Sequence, residues 1–305
     1  MSTQGRWLDN AAVAARVAAD RGHLWLPGAL GALTYLAWLP LVVAVASPPR
    51  TSDLAFLGAG LRGSELFPLN VLLIATLAAI AILIACLLAA FAEAALLRAQ
   101  GLGTPDRSMT REVEVALSVM LVAMLPAVAL GAALISGIAA VAPGEFGAPD
   151  LGVPLALRIA LRLAPLLAAF AVLAWLGQAF GAVALRRAIG PGALPIGGAM
   201  KAALRDLVRQ PMRLLGLALT AFVADLLAVV LAVALLRVLW APIGAELAGG
   251  QLVSRAALLL VGFVATWLAS TLAFGALHVW VSTWWSLEVG ASAEEPWPGA
   301  QEASR

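Results

Sequence analysis

Long apolar runs alternate with short polar segments along the whole chain. A run of about 20 apolar residues is long enough for a helix to cross the hydrocarbon core of a bilayer. Six runs reach this length, and we predict one transmembrane helix in each of 24–46, 69–97, 115–141, 155–185, 214–240 and 256–285. The pattern therefore predicts an all-α fold, a polytopic membrane bundle of six transmembrane helices.

Three amphipathic segments precede pairs of these runs and are predicted to be surface helices. Asp9 or Asn10 is expected to cap the first segment. Thr110 starts the second segment, which continues directly into the third run. The third segment covers 196–210, and Pro211 ends it and lets the fifth span start in a new direction.

A short motif recurs where three of the apolar runs end. Its copies are Ala-Leu-Leu-Arg-Ala-Gln-Gly, Ala-Leu-Arg-Arg-Ala-Ile-Gly and a degenerate Trp-Trp-Ser-Leu-Glu-Val-Gly, at 95–101, 184–190 and 284–290. Each copy follows one surface helix and two runs, so we predict three tandem units, each ending in a glycine stop. The predicted units are 7–101, 108–190 and 196–290, within a single membrane domain at 1–290. The polar tail at 291–305 is predicted to be disordered.

Composition supports the membrane class and argues against others. Of the 305 residues, 63% are hydrophobic and 12% are charged, whereas soluble domains are about 45–50% apolar and about 25% charged. A net charge of +2 gives no support for a nucleic-acid partner. Cys86 is the only cysteine, so the chain cannot form an internal disulfide or a thiolate cluster.

The distribution of Arg and Lys predicts the orientation of the chain. Most of these residues fall in the N-terminal segment, the second and fourth connections and the tail, so we expect both termini to be cytoplasmic in a bacterial plasma membrane. In the third surface helix, Lys201, Arg205 and Arg209 share one face. This face is expected to attract anionic lipids, and a solvated face that only sets the topology is the alternative. A membrane-protein partner is a further expectation.

Two ionisable residues inside predicted spans are the strongest candidates for a functional site. Asp225 lies near the middle of the fifth run on a face otherwise made of Ala, and His278 lies at a similar depth in the sixth run. Because an unpaired charge is costly in lipid, we expect these two side chains to meet between the fifth and sixth helices. They would form either a proton-coupled or ligand-binding site, or a hydrogen bond that fixes the helix register.

Four further polar residues are weaker candidates for this intramembrane site. Gln178 lies in the fourth run beside Gly177, a residue that permits close helix contact. Glu93 either joins the site or simply reaches the membrane interface. Arg158 and Arg162 lie four residues apart, and they either bind an anionic group or extend to the headgroups.

Proline and tryptophan add two structural expectations. Pro126 and Pro165 lie inside the third and fourth runs and are predicted to kink these helices. Trp240 and the Trp residues within 280–285 are predicted to form belts at the membrane interface.

Motifs of the common enzyme chemistries are absent from the sequence. It contains no G-x-S-x-G, no H-E-x-x-H, no glycine-rich phosphate loop with Lys and no Cys/His cluster. His23 and His278, the only histidines, are too far apart for a shared haem to be expected. We therefore expect no catalytic residue, no cofactor and no metal, and we predict that the protein is not an enzyme.

The order of elements resembles that of a known group of membrane proteins. A surface helix, two spans, Arg-Ala-x-Gly, a Pro-containing loop and an Ala-Leu-Arg surface helix resemble bacterial six-span proteins related to the membrane domain of glycerophosphoryl diester phosphodiesterases. The best local match is 184–190 followed by 202–205. The sequence has no counterpart of the phosphodiesterase catalytic domain. The resemblance therefore implies a membrane module that accompanies, positions or stabilises another component.

Three functions remain open at this point. We predict a non-enzymatic membrane module that acts through protein partners or lipids. The alternative is a small transporter or permease subunit that uses Asp225, His278, Gln178 and Arg162. A membrane-embedded enzyme is the third.

Overall fold

The computed structural model describes residues 3–34, 36–46, 51–103, 107–146, 153–190, 192–248 and 254–290. The regular elements within these ranges are all helices, so the predicted all-α fold is confirmed. The predicted disordered tail at 291–305 lies outside the described residues.

Among the described residues, five α-helices are long and six are shorter. The long helices are α5 (Leu69–Ala99), α6 (Met109–Phe146), α8 (Ala164–Ile189), α10 (Pro211–Ala248) and α11 (Ser254–Gly290). The shorter helices are α1 (Thr3–Asp20), α2 (Trp25–Leu33), α3 (Trp38–Val45), α4 (Thr51–Gly63), α7 (Leu155–Arg162) and α9 (Ile196–Arg209).

The five long helices are each long and apolar enough to cross a membrane. A sixth candidate within the described residues is a bent pair, Gly22–Leu33 and Trp38–Val45, whose axes differ by 54°. The first predicted span is therefore not one continuous helix. Pro40 gives the physical reason, since it has no N–H to donate to the Leu36 carbonyl and a helix running through 36–40 would lose that bond. The described residues thus contain five or six candidate spans, which fits a multi-pass integral membrane protein.

The fourth predicted span is also interrupted. α7 ends at Arg162, and α8 starts at Ala164 with Leu163 between them. Pro165 lies in the first turn of α8, where its missing N–H removes no helical hydrogen bond. It marks a helix start rather than a kink, whereas Pro126 lies inside α6 as predicted.

The surface helices begin and end close to the predicted residues, except that the first helix begins earlier than predicted. α6 begins at Met109 and runs unbroken into the third span, and α9 covers Ile196–Arg209. α10 begins at Pro211, a residue suited to a first helical position. The predicted cap at Asp9 or Asn10 is wrong, because α1 already begins at Thr3 and both residues lie inside it.

The end of α5 shows how a glycine stops one of the long helices. Gly101 has φ of 79°, a left-handed conformation in which a side chain would be strained. The Leu102 N–H donates to the Leu97 carbonyl at 3.0 Å and the Gly101 N–H donates to the Arg98 carbonyl at 3.0 Å. This pair of bonds is a Schellman motif. It satisfies carbonyls that the helix end would otherwise leave free.

Contacts group the chain into two compact units. One unit comprises 1–46, 85–120 and 179–305, and in it α1 and α2 pack on α11, α3 packs on α10, and α10 packs on α11. Where α2 packs on α11, a Cβ added to Gly275 would lie 2.6 Å from the Ala29 nitrogen. The backbones of α2 and α11 therefore touch, as small residues allow in membranes.

The other unit comprises 47–84 and 121–178. In it a Cβ added to Gly177 would lie 2.7 Å from the Ala123 carbonyl oxygen, and one added to Gly131 would lie 3.4 Å from the Phe170 ring. The predicted close contact at Gly177 is thus present. The three-unit repeat is not tested by this division and stays a prediction.

The Trp residues at the end of α11 differ from the predicted interfacial belt. Trp284 is 1% exposed and Trp285 is 5% exposed. The Trp284 ring packs against Trp7 of α1, with ring centroids 4.7 Å apart, and against Trp280 at 5.3 Å. These rings form part of the contact between α1 and α11.

Candidate functional site

A buried polar cluster joins three of the long helices. We call it the Glu93 cluster, and it consists of Glu93 on α5, Arg186 on α8, and His278, Ser282 and Ser286 on α11. His278, Ser282 and Ser286 follow one another at four-residue spacing, so they share one helix face. All five residues belong to the same compact unit. The cluster therefore lies where α5, α8 and α11 meet.

Arg186 is the most connected residue of the cluster. Its side chain is 3% exposed. Its Nη2 donates to Glu93 Oε1 at 3.1 Å, to the Ser282 carbonyl at 2.8 Å and to Ser282 Oγ at 2.9 Å. Its Nε donates to Ser286 Oγ at 3.1 Å, and Nη1 donates to the Ala182 carbonyl at 2.9 Å. Each guanidinium nitrogen thus has a partner, as a buried cation requires.

The Glu93 carboxylate holds the other side of the cluster. Its Oε1 pairs with Arg186 and accepts from the Ser282 hydroxyl at 3.2 Å. Its Oε2 lies 3.1 Å from His278 Nε2. Glu93 therefore does more than reach the interface, since both of its oxygens are bonded inside the bundle.

Neutral side chains extend the cluster along α11. The Ser286 hydroxyl donates to Gln100 Oε1 at 2.9 Å. Gln100 Nε2 then donates to Thr283 Oγ1 at 3.1 Å. Gln100 follows the last turn of α5, so this chain of bonds ties the end of α5 to the last turns of α11.

Asp225 is a neighbour of the cluster rather than a member. It is half-buried on α10 and close enough to His278 for their charges to interact. The hydrogen bond of the imidazole goes to Glu93 instead. Asp225 therefore lies within electrostatic range of His278, while the hydrogen-bond partner of His278 is Glu93, a residue that the sequence analysis ranked lower.

The remaining predicted site residues lie in the other compact unit. Gln178 is exposed on α8. Arg158 Nε lies 3.6 Å from Glu145 Oε2, and its Nη2 donates to the Glu145 carbonyl at 3.2 Å. Arg162 also pairs with the Glu145 carboxylate. Both arginines thus hold a buried carboxylate at the end of α6, an arrangement that the sequence analysis did not anticipate.

A second buried carboxylate joins α1, α10 and α11. The side chain of Glu288 is fully buried. Its Oε1 accepts from Asn10 Nδ2 at 2.8 Å, and its Oε2 accepts from Arg213 Nε. Arg213 also donates from Nη1 to Gln210 Oε1 at 3.1 Å. Asn10, the proposed cap, thus bonds to the last span.

The surface helix α9 carries the predicted basic face. Lys201, Arg205 and Arg209 are exposed. On the opposite side Ala199 and Ala203 are fully buried. The arrangement leaves the three cations directed away from the unit to which α9 is attached.

α9 is fixed to the bundle by an ion pair. Arg187 Nε and Nη2 donate to Asp206 Oδ2 at 2.9 and 2.7 Å. An exposed apolar stripe runs beside the basic one, because Leu204 and Val208 are 59% and 72% exposed. Met212, in the first turn of α10, is 90% exposed.

The chemistry of the Glu93 cluster favours a structural tie over a reactive centre. Its cation, its carboxylate and its hydroxyls all bond to one another, so they are held in place rather than directed into a substrate space. No group of three or more His, Cys, Asp or Glu side chains with metal-binding geometry occurs among the described residues.

Sequence reasoning missed Arg186 because it lies in a pair of arginines at the end of a span, where a role in topology is the usual one. The signal was the four-residue spacing of His278, Ser282 and Ser286, which gives α11 a polar face that needs a partner.

The resemblance to the phosphodiesterase membrane domain stays a prediction, because comparison with protein families, with curated proteins and with solved structures finds no match to this chain.

Proposed function

We propose that this protein is a non-enzymatic membrane module that acts through lipids, binding the anionic surface of the cytoplasmic leaflet with α9. The observation that carries this proposal is the pair of exposed stripes on α9, one basic and one apolar. The basic stripe is Lys201, Arg205 and Arg209, and the apolar stripe is Leu204 and Val208.

Both stripes are suited to the membrane interface. A helix with a basic and an apolar side lies in the headgroup plane, with its apolar side chains in the outer acyl region. Burying a Leu or a Val side chain gains about 1.5–3 kcal/mol, and each cation near an anionic surface adds about 1 kcal/mol. In water the apolar stripe would be unfavourable, so its exposure supports a lipid contact.

The way α9 is attached to the bundle also supports a lipid contact. Ala199 and Ala203 pack against the unit, and Asp206 is held by Arg187. The helix is therefore presented in a fixed orientation with its two stripes outward. A fixed helix loses less conformational entropy on binding than a free one, because its backbone is already ordered.

A fluorescence experiment on the full chain in nanodiscs tests this contact. In a Cys86→Ser background, Val208→Cys is labelled with a polarity-sensitive dye, and discs of phosphatidylcholine are compared with discs that also contain phosphatidylglycerol. We expect apolar emission that is quenched by lipids brominated close to the headgroup. The emission should shift further toward the apolar limit in the anionic discs.

Charge variants separate a specific role of α9 from general electrostatics. Lys201→Gln with Arg205→Gln should abolish the additional shift in anionic discs. Arg16→Gln with Arg21→Gln removes the same charge from exposed positions outside α9 and should leave the shift unchanged. Water-like emission from position 208 in both kinds of disc would contradict the proposal, and so would an equal effect of the two double variants.

A second candidate function, a small transporter or permease, is favoured by one observation. Asp225 is an ionisable residue inside a span, half-buried and close to His278, which contacts Glu93. Titratable residues in this arrangement mark proton pathways in membrane proteins. In a transporter, a proton would pass between three neighbouring side chains, those of Asp225, His278 and Glu93.

Proton flux into liposomes tests this second candidate. Full-length protein is reconstituted with a pH-sensitive dye inside the vesicles, and an imposed pH gradient drives the flux. A transporter should lose this flux in Asp225→Asn with its thermal unfolding unchanged, while Glu65→Gln, at an exposed position outside the spans, should retain it. No flux in the wild type, or equal flux in Asp225→Asn, would remove the proton-coupled form of this candidate.

A further inference from the structure

A pocket of about 530 Å³ lies between the first turns of α6 and the segment that leads into α9. Its polar lining includes Arg107, Arg111, Glu114 and Ser118, and its apolar lining is Val115, Ala188, Leu194, Pro195 and Ile196. All of these residues belong to one compact unit. Polar and apolar groups thus face the same space.

The pocket lies where a phospholipid headgroup would be found. α6 has 38 residues, and at 1.5 Å per residue it is about 57 Å long. The hydrocarbon core is only about 30 Å thick, so part of α6 extends beyond it. Because charged side chains are costly in the hydrocarbon, Arg111 and Glu114 in the first two turns indicate that this end of α6 lies at the headgroup level, next to the start of α9.

The two arginines are suited to hold a phosphate. A guanidinium binds phosphate oxygens with paired N–H groups, and basic pockets between membrane helices are known sites for lipid headgroups. Arg107 uses Nη1 to donate to the Ala188 carbonyl at 2.9 Å, which fixes the side chain at the pocket wall. Arg111 donates to Glu114 at 2.8 Å, and because these side chains are 68% and 57% exposed this ion pair is weak.

Glu114 adds selectivity to the phosphate site. A carboxylate beside a phosphate is repulsive unless the ligand also carries a cation or a hydrogen-bond donor for it. An ethanolamine ammonium or a glycerol hydroxyl donates a hydrogen bond to the carboxylate, whereas the quaternary amine of choline has no N–H and attracts it only through its charge. The apolar strip of Val115, Leu194 and Ile196 is placed to contact the acyl part of the same ligand.

We propose that this pocket binds one phospholipid whose phosphate pairs with Arg107 and Arg111 and whose headgroup donates a hydrogen bond to Glu114. The ligand class is a phosphatidylethanolamine or a phosphatidylglycerol. This deepens the proposed function, on which it rests for the lipid-facing orientation of this end of the bundle. It adds a single selective site to the surface contact made by α9.

Native mass spectrometry of the full chain, released from detergent with one added lipid at a time, tests this site. Matched lipids with ethanolamine, glycerol and choline headgroups are compared with soluble phosphoethanolamine. We expect one retained ethanolamine or glycerol lipid with about tenfold higher affinity than the choline lipid, as one hydrogen bond to a charged group supplies. Equal retention of all three lipids, or of the soluble compound, would overturn the proposal.

Three variants assign the effect to the pocket. Arg111→Gln should lower the affinity for all three lipids about tenfold or more. Glu114→Gln should remove the preference over the choline lipid while leaving the phosphate contact in place. Arg21→Gln, at an exposed basic position outside both the pocket and α9, should change neither quantity. Lipid affinity that Arg21→Gln lowers as much as Arg111→Gln would overturn the assignment.

The two proposals fail in different ways. If α9 does not contact anionic lipid but the selective lipid is still retained through Arg111, the pocket stands and the proposed surface function is wrong. If the dye at position 208 reports an anionic surface but the retained lipid shows no headgroup preference, the pocket assignment is wrong and the surface function stands.

Discussion

Replacing Arg186 with Met removes the cation at the centre of the Glu93 cluster while keeping an unbranched side chain in its place. In the wild type, the guanidinium makes five hydrogen bonds, one of them to the Glu93 carboxylate. After the change, Glu93 keeps only His278 and the Ser282 hydroxyl as partners. The substitution therefore leaves a carboxylate that is only 15% exposed without its main counter-charge.

The expected loss of stability comes mainly from the charge left without a partner, and less from the number of hydrogen bonds that are lost. Hydrogen bonds between membrane helices average about 0.6 kcal/mol each, whereas breaking a buried ion pair costs about 3–5 kcal/mol. We expect Arg186→Met to lower the free energy of unfolding by about 3–5 kcal/mol. Adding Glu93→Gln removes the unpaired charge and should recover most of this loss.

Unfolding in detergent micelles by stepwise addition of SDS, followed through Trp fluorescence, measures these values. Arg187→Met is the matched control, because the neighbouring arginine pairs with Asp206 where both side chains are about one-fifth exposed. Its loss should be about 1 kcal/mol. A loss below about 1 kcal/mol for Arg186→Met, or a double variant less stable than the single one, would refute the view of the cluster as a helix tie.

The other predictions concern packing and the second buried carboxylate, and thermal unfolding of each purified variant checks them. Gly275→Ala should destabilise by about 1–3 kcal/mol through the clash of its Cβ with the α2 backbone, whereas Gly262→Ala, on the same helix with no atom within 4 Å, should be neutral or stabilising. Glu288→Gln should cost about 2–4 kcal/mol because it leaves Arg213 without its buried counter-charge. Trp284→Ala should cost about 3–5 kcal/mol, since the ring is 1% exposed.

Hydropathy alone was sufficient to place most of the spans. The second, third, fifth and sixth runs each became one long helix, because in lipid a segment of that length must satisfy its backbone internally. The breaks after Leu33 and at Leu163 were not foreseen. Each lies shortly before a proline, Pro40 and Pro165, and the sequence gives no sign of whether a proline bends a helix or starts a new one.

The candidate site was only partly accessible from the sequence. Asp225 and His278 were recognisable because each is a rare ionisable residue in an apolar run. The pairing of Glu93 with Arg186 depends on how α5 and α8 are rotated against α11, and helix rotation is set by tertiary packing. The sequence around Glu93 and around Arg186 does not indicate this rotation.

The contact between Gly28 on α2 and Gly275 on α11 has a consequence for biosynthesis. α2 ends at Leu33 and α11 ends at Gly290, so α2 leaves the ribosome well before α11 does. At about 5–20 residues per second, α11 is complete about 10–50 s after α2. Until then Gly28 lacks the α11 backbone against which it packs in the folded protein. A helix that is made early thus reaches its final packing only late, and a ribosome that stops before α11 releases a chain in which α2 lacks this partner.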